Sequence, residues 1–281
     1  MTPPSGDQRG ILYIAQGERY LKELRFAAES AKKAMPNVQR AAMTNSRKTV
    51  EEMELFDIIL PLDNTPFSWQ KRIDALQRTP FERTLFLDTD TYICGNINEL
   101  FQLLDRFDIG VAQAVIKHSP CRNLPAKPYI MPNVPETFPE VCCGLLLFRR
   151  NDRVNRLFIS WNSKYDAQMA SPILPFHDQP SFGEALYESD ARVAILPTEY
   201  HCWITAGGYL SGPVCILHGH ADDLPMLAEK LNRVRGPRVF WFARGHLFTY
   251  PTRNIWREVS ALLKPGRLLA LLKCGFKSTR K

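Results

Sequence analysis

The chain lacks the features that mark a membrane-spanning or exported protein. None of its apolar runs approaches the roughly 18 residues that a spanning helix needs, and the start of the chain is polar, without the apolar core of a secretory leader. Its seven cysteines are odd in number and include no pair with CxxC spacing, which argues against a zinc ribbon and a disulfide framework. We therefore expect reduced, mostly buried thiols and a cytoplasmic protein.

Acidic residues are almost missing from the segment 231–281, which has twelve Lys and Arg against the single acid Glu258. The net charge of that segment is +11, whereas the net charge of the whole chain is +7. Residues 1–230 therefore have a net charge of −4. We predict a main domain over 1–230 and a basic, amphipathic helical extension over 231–281. The extension is expected to lie on an anionic membrane surface at the inner face of the membrane, or to pack on the domain as a lid. No nucleic-acid-binding module accompanies the charge, so nucleic acid is not an expected partner.

Short apolar runs alternate with helical patterns along residues 11–217. Such alternation predicts an α/β fold with a mainly parallel sheet and crossover helices, whose ligands bind at the carboxyl ends of the strands. The segment from Ser119 to Pro139 holds six prolines and no periodicity, which predicts a binding loop. The predicted strands are 11–15, 38–44, 56–60, 84–87, 109–114, 144–148, 193–196 and 214–217, and the predicted helices are 18–34, 69–77, 97–107, 154–165 and 178–188.

One of these strands runs directly into two carboxylates. The stretch from Arg83 to Thr91 reads RTLFLDTDT, with Asp88 and Asp90 two positions apart. Side chains at this spacing on an extended strand point the same way, so the pair can hold one hard cation. An uncompensated pair of buried carboxylates is unfavourable, which favours a ligand site over a plain turn.

Together with later motifs, this pair resembles the nucleotide-sugar glycosyltransferases of the GT-A fold. The motifs are LFLDTDTY at 85–92, HDQ at 177–179 and ILH at 216–218, and they come in the order seen in the family 8 and glycogenin-like group. The resemblance covers residues 10 to 225. It implies a Rossmann-like, mixed but mainly parallel sheet flanked by helices. It also implies transfer of a sugar, with retention of configuration, from a nucleoside diphosphate sugar such as a UDP-sugar to a hydroxyl acceptor on a glycan or lipid-linked saccharide.

The resemblance also assigns roles to residues. Asp88, Asp90 and His218 would bind Mn²⁺ or Mg²⁺, and two carboxylates with one imidazole suit manganese better. Asp178 and Gln179 would contact the transferred sugar as the catalytic pair, although Asp178 also suits a helix N-cap. Gly144 would allow close approach of the sugar. The remaining residues assigned to substrate binding are Ala15, Tyr20, Asn45, Arg72, Asp88, Thr89 and His220, with Tyr20 stacking on the base and Lys71 as the alternative to Arg72.

The chain departs from the family pattern at several positions. Cys142 and Cys143 stand where Asn and a small residue are usual, and His201 stands where Asn is common. The family lysine that neutralises the leaving phosphate has no counterpart, so we expect His220 or Arg233 to substitute.

These departures keep two other hypotheses open. Asp88 and Asp90 also fit the DxDxT nucleophile motif of haloacid-dehalogenase-type phosphatases, with Asp222 and Asp223 as a distal metal pair. That motif normally comes near the start of such chains. The second hypothesis is an inactive homologue that binds a nucleotide sugar without turning it over.

Overall fold

The computed structural model describes residues 8–175, 177–243 and 246–252. This part of the chain contains thirteen strands, six α-helices and two 3₁₀-helices, at 98–105 and 198–200. The strands are β1 (Arg9–Ala15), β2 (Gln39–Thr44), β3 (Ile58–Pro61), β4 (Arg83–Leu87), β5 (Thr91–Ile93), β6 (Ile109–Gln113), β7 (Val141–Arg149), β8 (Val193–Leu196), β9 (Cys202–Trp203), β10 (Gly208–Leu210), β11 (Ile216–His218), β12 (Arg238–Ala243) and β13 (His246–Pro251). The helices are α1 (Glu18–Ala34), α2 (Arg47–Glu51), α3 (Trp69–Gln77), α4 (Asp152–Met169), α5 (Gln179–Glu188) and α6 (Leu224–Arg233).

Seven of the strands form a central sheet in the order β3-β2-β1-β4-β7-β6-β8. Every strand in it runs parallel to its neighbours except β7, which is antiparallel to both β4 and β6. The predicted mixed, mainly parallel sheet is therefore confirmed. The remaining described strands form two smaller three-stranded sheets, in the orders β5-β11-β9 and β10-β12-β13.

Apolar side chains on both faces of the central sheet are buried, as expected for strands covered by helices. Along β1, Tyr13 packs into the cluster that includes α1, while its neighbour Leu12 packs into the cluster that includes α3 and α4. On the second face, the rings of Trp161 of α4 and Phe182 of α5 pack at a tilt, with their centroids 4.5 Å apart. The sheet is thus held between two layers of helices, and the ends of its strands are left to form loops.

Two predicted elements differ in the structure. The predicted helix 97–107 is a 3₁₀-helix over Asn98–Asp105, which is started by hydrogen bonds from Asn98 N to Asn96 Oδ1 and from Leu100 N to Ile97 O. Strand β7 starts at Val141 rather than Gly144, because Val141, Cys142 and Cys143 are all buried and continue the ladder. The proline-rich segment contains isolated bridges only, such as Pro120 to Pro128.

In the part of the predicted basic extension that the structure describes, residues 231–233 are helical and the elements that follow are strands. Helix α6 runs through the predicted boundary at 230 to Arg233, and Leu231 is buried in a cluster shared with β10 and β11. Arg238–Ala243 and His246–Pro251 are then strands rather than helix, because their aromatic and β-branched residues suit the edge of β10, with Phe240 buried there. The leucine-rich part at 268–272 lies outside the described residues, so its membrane role stays a prediction. No helix of the described part is long and apolar enough to cross a membrane.

The cysteines of the described part are all free thiols, as the sequence predicted. Four of them are buried, and Cys94 and Cys215 are half-buried.

Candidate active site

The acidic pair lies at the carboxyl end of β4, at the centre of the sheet. The amide of Asp88 donates to Gly144 O across β7 at 2.8 Å, and Thr91 Oγ1 donates to Asp88 O at 2.7 Å. These bonds fix the backbone on both sides of Asp88, so that its side chain and that of Asp90 are held at the strand end.

His218 reaches this pair through a second sheet. Strand β11 pairs antiparallel with β5, which places His218 opposite Thr91, and the amide of Gly219 donates to Asp90 O at 3.0 Å. Nε2 of His218 consequently lies 3.2 Å from Asp90 Oδ1. The ligand atoms of Asp88, Asp90 and His218 lie within 4.8 Å of one another. The three residues predicted to bind the metal are therefore brought together.

The charges in this cluster are arranged as a cation site requires. Burial raises the pKa of Asp88 to about 6, against the lowering effect of Arg72 and with a further raising effect from Asp90. The pKa of Asp90 is also raised by burial, but His218 and then His220 outweigh this and hold it below its usual range. A divalent cation among two carboxylates and an imidazole would relieve the repulsion between Asp88 and Asp90, so these residues fit Mn²⁺ or Mg²⁺.

Gly144 leaves room for this cluster. A Cβ atom at this position would lie 2.5 Å from Asp88 Oδ2 and 2.6 Å from His218 Cε1, closer than real Cβ atoms come. The sequence predicted a glycine here for close approach of a sugar. In the structure the side chains that lie closest to Gly144 are those of Asp88 and His218.

Arg72 of α3 links the acidic pair to Asp178. Its Nη2 donates to both oxygens of Asp178 at 2.5 Å, and its Nη1 lies 3.4 Å from Asp88 Oδ1. The guanidinium lies 4.7 Å from the ring centroid of Trp69, and its Nε is buried without a hydrogen-bond partner among the described residues. Asp178 is fully buried. Lys71, the alternative in sequence, instead holds Asp63 and the carbonyls of the preceding loop.

Asp178 precedes α5 as predicted, but its side chain does not cap that helix, because the carboxylate is turned to Arg72. Its neighbour Gln179 donates through Nε2 to Glu140 Oε1 at 2.9 Å. Glu140 is buried and also accepts from the amide of Ser119 at 2.8 Å and from its hydroxyl. Glu140 therefore joins the proline-rich segment to Gln179 of the predicted catalytic pair. The role of Glu140 was not predicted. The feature of the sequence that could have indicated it is its position directly before the apolar run 141–148.

Aromatic rings line a cavity of about 160 Å³ next to Asp88. Tyr20 is 44% exposed and contributes one wall, together with Phe67 and Trp69. Gln16 lines the cavity where Ala15 had been predicted to do so, because Ala15 is buried under the sheet end. Asn45 does not line either described cavity and accepts a hydrogen bond from Ser46.

A larger cavity of about 1070 Å³ meets the first at Thr89, Asp90 and His220. Thr89 Oγ1 donates to Glu23 of α1 at 3.1 Å, and His220 Nδ1 lies 3.0 Å from the same side chain. Arg233 is ion-paired with Glu229 and does not line this cavity. Of the two predicted substitutes for the family lysine, only His220 is in place. Arg19 and Lys22 of α1 also line the cavity and were missed, although the helical spacing of 19, 22 and 23 puts them on one face.

No family model matches the chain, and no curated protein sequence matches it. A structure of an active-site Gln-to-Glu mutant of LgtC matches with a TM-score of 0.55 and 14% identity, covering 80% of this chain and 94% of LgtC. Mouse xyloside xylosyltransferase 1 matches with a TM-score of 0.52 and 16% identity, covering 77% of this chain and 99% of its own. The bifunctional glycosyltransferase WbbM matches with a TM-score of 0.51 and 16% identity over 71% of this chain, which spans 40% of the WbbM chain.

The chain has the GT-A fold. Its acidic pair and His218 lie where strands of that fold end, at the side of the sheet on which α/β proteins bind ligands.

Within this GT-A fold, the unusual residues of the sequence surround the far side of His218. His201 Nε2 lies 2.8 Å from His218 Nδ1, and the amide of Gly144 lies 3.3 Å from Cys142 Sγ. Cys143, by contrast, lies on the other face of β7 with Arg72 and Asp178 in its surroundings. The two neighbouring cysteines therefore occupy different environments.

Proposed function

We propose that the chain is a metal-dependent glycosyltransferase that moves a sugar from a nucleoside diphosphate sugar, of which a UDP-sugar is the first candidate, to a hydroxyl acceptor. The observation that carries the proposal is the convergence of Asp88, Asp90 and His218 beside a cavity lined with aromatic rings. The GT-A fold supports it, since LgtC is a galactosyltransferase whose structure was determined with donor and acceptor sugar analogues.

In this proposal the donor lies across the smaller cavity. The base stacks on the exposed face of Tyr20, and the diphosphate lies near Asp88 and Asp90. Asp88, Asp90 and His218 would hold Mn²⁺ or Mg²⁺, which when bound would supply Lewis-acid stabilisation of the negative charge on the leaving diphosphate. His220, at the junction of the two cavities, offers a donor or positive charge to the leaving phosphate in place of the family lysine.

The sugar is positioned by the residues around Arg72. The guanidinium is held by Asp178 and Asp88, and Arg72 lines the smaller cavity, where its positive charge faces the sugar and phosphate oxygens of the donor. Glu140 accepts a hydrogen bond from the side-chain nitrogen of Gln179. The side-chain oxygen of Gln179 is then the group that faces the sugar. The acceptor enters through the larger cavity, whose lining carries charges of both signs, with Arg19 paired to Glu23 and Lys22 paired to Glu18. Retention of configuration is part of the proposal.

Donor turnover tests this function. A screen of UDP-, GDP- and CDP-sugars with Mn²⁺ should give a thermal shift for one nucleotide class, and hydrolysis or transfer should require the metal. Asp88→Asn should lose turnover by at least about a hundredfold, while Asp105→Asn, at an exposed ion pair with Arg83, should keep it. Full activity in Asp88→Asn would sink the assignment.

The choice of substrate separates the two other hypotheses. In the described structure Asp223 caps α6 by accepting from Met226 N at 2.8 Å, and the cation cluster takes His218 instead of Asp222 and Asp223. Release of phosphate from simple phosphate esters through a covalent Asp88 intermediate would favour the phosphatase. Nucleotide-sugar binding with Mn²⁺ but without turnover of any donor would favour the inactive homologue.

A further inference from the structure

The imidazole of His218 has groups that can bind a metal ion on both of its sides. Nε2 faces Asp90 Oδ1 at 3.2 Å, and Nδ1 faces His201 Nε2 at 2.8 Å. On this second side, the ligand atoms of Cys142, His201 and His218 lie within 4.8 Å of one another, and all three residues are buried. Cys142, His201 and the Nδ1 side of His218 are not used in the proposed transfer reaction.

We propose that Cys142, His201 and Nδ1 of His218 form a second cation site, selective for Zn²⁺, whose occupation excludes the hard cation from Asp88, Asp90 and Nε2 of His218. Zinc at this site therefore switches the transferase off. The exclusion rests on the proposed function of the first site, whereas the existence of the zinc site does not.

The donor atoms suit zinc by their chemistry. A thiolate with two imidazoles is a soft set that favours Zn²⁺ over Mn²⁺ or Mg²⁺, and three protein ligands leave the fourth tetrahedral position to water. Bond lengths of about 2.0 to 2.3 Å place tetrahedral zinc ligands roughly 3.3 to 3.8 Å apart. The cluster needs only small side-chain shifts to reach that spacing, chiefly an opening of the contact between His201 and His218. Binding forms one Zn–S and two Zn–N bonds and releases the proton of the Cys142 thiol to solvent.

The three ligands come from separate elements that the fold holds rigidly. Cys142 is on β7 of the central sheet, His201 directly precedes β9, and His218 ends β11, which pairs with β9. Trp203 stacks on the ring of His218 and restricts its rotation. Because Cys142 and His201 replace residues that the resemblance leads one to expect as asparagine, the soft donor set is a property of this chain's own sequence.

The exclusion follows from the imidazole ring. A neutral imidazole has one nitrogen with a free lone pair, and the other nitrogen carries hydrogen. When a cation binds Nε2, the hydrogen on Nδ1 is donated to His201. When zinc binds Nδ1, the hydrogen is on Nε2, which then donates to Asp90 and no longer binds a metal. The two sites therefore compete for one residue.

Cobalt absorption tests the zinc site without any measurement of activity. Titration of the full chain with Co²⁺ should give a thiolate-to-cobalt charge-transfer band that Zn²⁺ removes. Cys142→Ser should lose the band, while Cys143→Ser, at the neighbouring and equally buried thiol on the other face of β7, should keep it. Asp88→Asn should keep it too, because that change affects only the hard site. A band that survives in Cys142→Ser, or is lost only in Cys143→Ser, overturns the proposal. His201→Gln provides a second variant if Cys142→Ser does not fold, and its band should also be lost.

Competition between the metals tests the exclusion. Zinc affinity, measured against a chromophoric chelator, should fall at least about tenfold when Mn²⁺ is saturating, and Cys142→Ser should bind Mn²⁺ as the unchanged chain does. Equal zinc affinity with and without Mn²⁺ overturns the switch. Failure of Mn²⁺ to bind at all, with the cobalt band present, would contradict the proposed transferase site and leave the zinc site standing.

Discussion

Gly144 and Asp88 pack so closely that the glycine cannot be replaced without moving the carboxylate. An added Cβ would lie 2.5 Å from Asp88 Oδ2. Gly144→Ala should therefore displace Asp88 or His218 and weaken Mn²⁺ binding by about tenfold, the lower end of the range for changes behind a metal ligand. Binding is measured by the electron paramagnetic resonance signal of free Mn²⁺. Gly95→Ala is the control, since a Cβ there meets nothing within 4 Å. Equal Mn²⁺ affinity in both variants would show that the cluster does not hold the metal.

The pKa of Asp88 predicts how the metal-free and metal-bound proteins differ with pH. Burial raises this pKa to about 6, so the folded protein keeps a proton that the unfolded chain releases near pH 3.8. The stability that this proton contributes is present below pH 3.8 and is lost as the pH rises through about 6. A cation binds the ionised carboxylate, so the increase in melting temperature caused by Mn²⁺ should grow over the same interval.

Differential scanning calorimetry at several pH values with and without Mn²⁺ checks this dependence. The metal-free unchanged chain should lose stability as the pH rises from 3.8 to about 6, and metal-free Asp88→Asn should not show this loss. A Mn²⁺ effect that is constant across this interval in the unchanged chain would contradict the assignment of Asp88 as a ligand.

Even the conservative change Arg72→Lys should lower both the stability and the turnover of the protein. It bonds both oxygens of Asp178 at 2.5 Å and also approaches Asp88. Lysine offers a point charge rather than a planar fork, so Arg72→Lys should leave part of a buried carboxylate unpaired and lower the free energy of unfolding by roughly 2 kcal/mol. Turnover should fall more than stability explains, by about a hundredfold at a temperature where the variant is folded. Arg78→Lys, exposed at the end of the same helix, is the matched control. If donor turnover is unchanged in folded Arg72→Lys, Arg72 has a structural role only.

The sequence predicted those features that depend only on residues close together in the chain. Apolar runs predicted the strands of the sheet, and the two-residue spacing of Asp88 and Asp90 predicted a shared cation site, because both signals depend on neighbouring residues alone. The partners of Arg72 and Glu140 were not predicted, since Asp178 and Ser119 come next to them only through the order of strands in the sheet. Arg238–Ala243 was expected to be helical because the basic, leucine-rich residues further on suggested an amphipathic helix, whereas its own residues prefer an edge strand.

The basic segment 253–281 has eight Lys and Arg and one acid. A chain that ends at Thr252 should lose binding to vesicles that contain anionic lipid. A chain that ends at Pro237 is a poor test, because it removes β12 and the buried Phe240. Co-sedimentation of the Thr252 variant and the full chain with anionic and neutral vesicles makes the comparison. Equal binding by the two chains would remove the membrane role.

Asp108 ties together three neighbouring strands of the central sheet. It precedes β6 and accepts from Arg149 at the end of β7 and from Arg192 next to β8, at 2.7 and 2.9 Å. Its side chain is fully buried, and the hydrogen bonds from Arg192 outweigh burial and hold its pKa well below the usual range. Its contribution to stability is therefore present above pH 3.8, the ordinary value, and is lost as the pH falls through the folded-state pKa.

Asp108→Asn should lower the free energy of unfolding by about 3 kcal/mol at neutral pH, because it breaks a buried charge cluster from one side. Urea denaturation measures this, with Asp105→Asn as the control at an exposed ion pair with Arg83. The control should lose less than about 1 kcal/mol. The difference between the two variants should shrink as the pH is lowered toward the point at which Asp108 itself is protonated. A difference that stays constant down to acid pH would mean that the lost stability comes from packing around Asp108 and not from its charge.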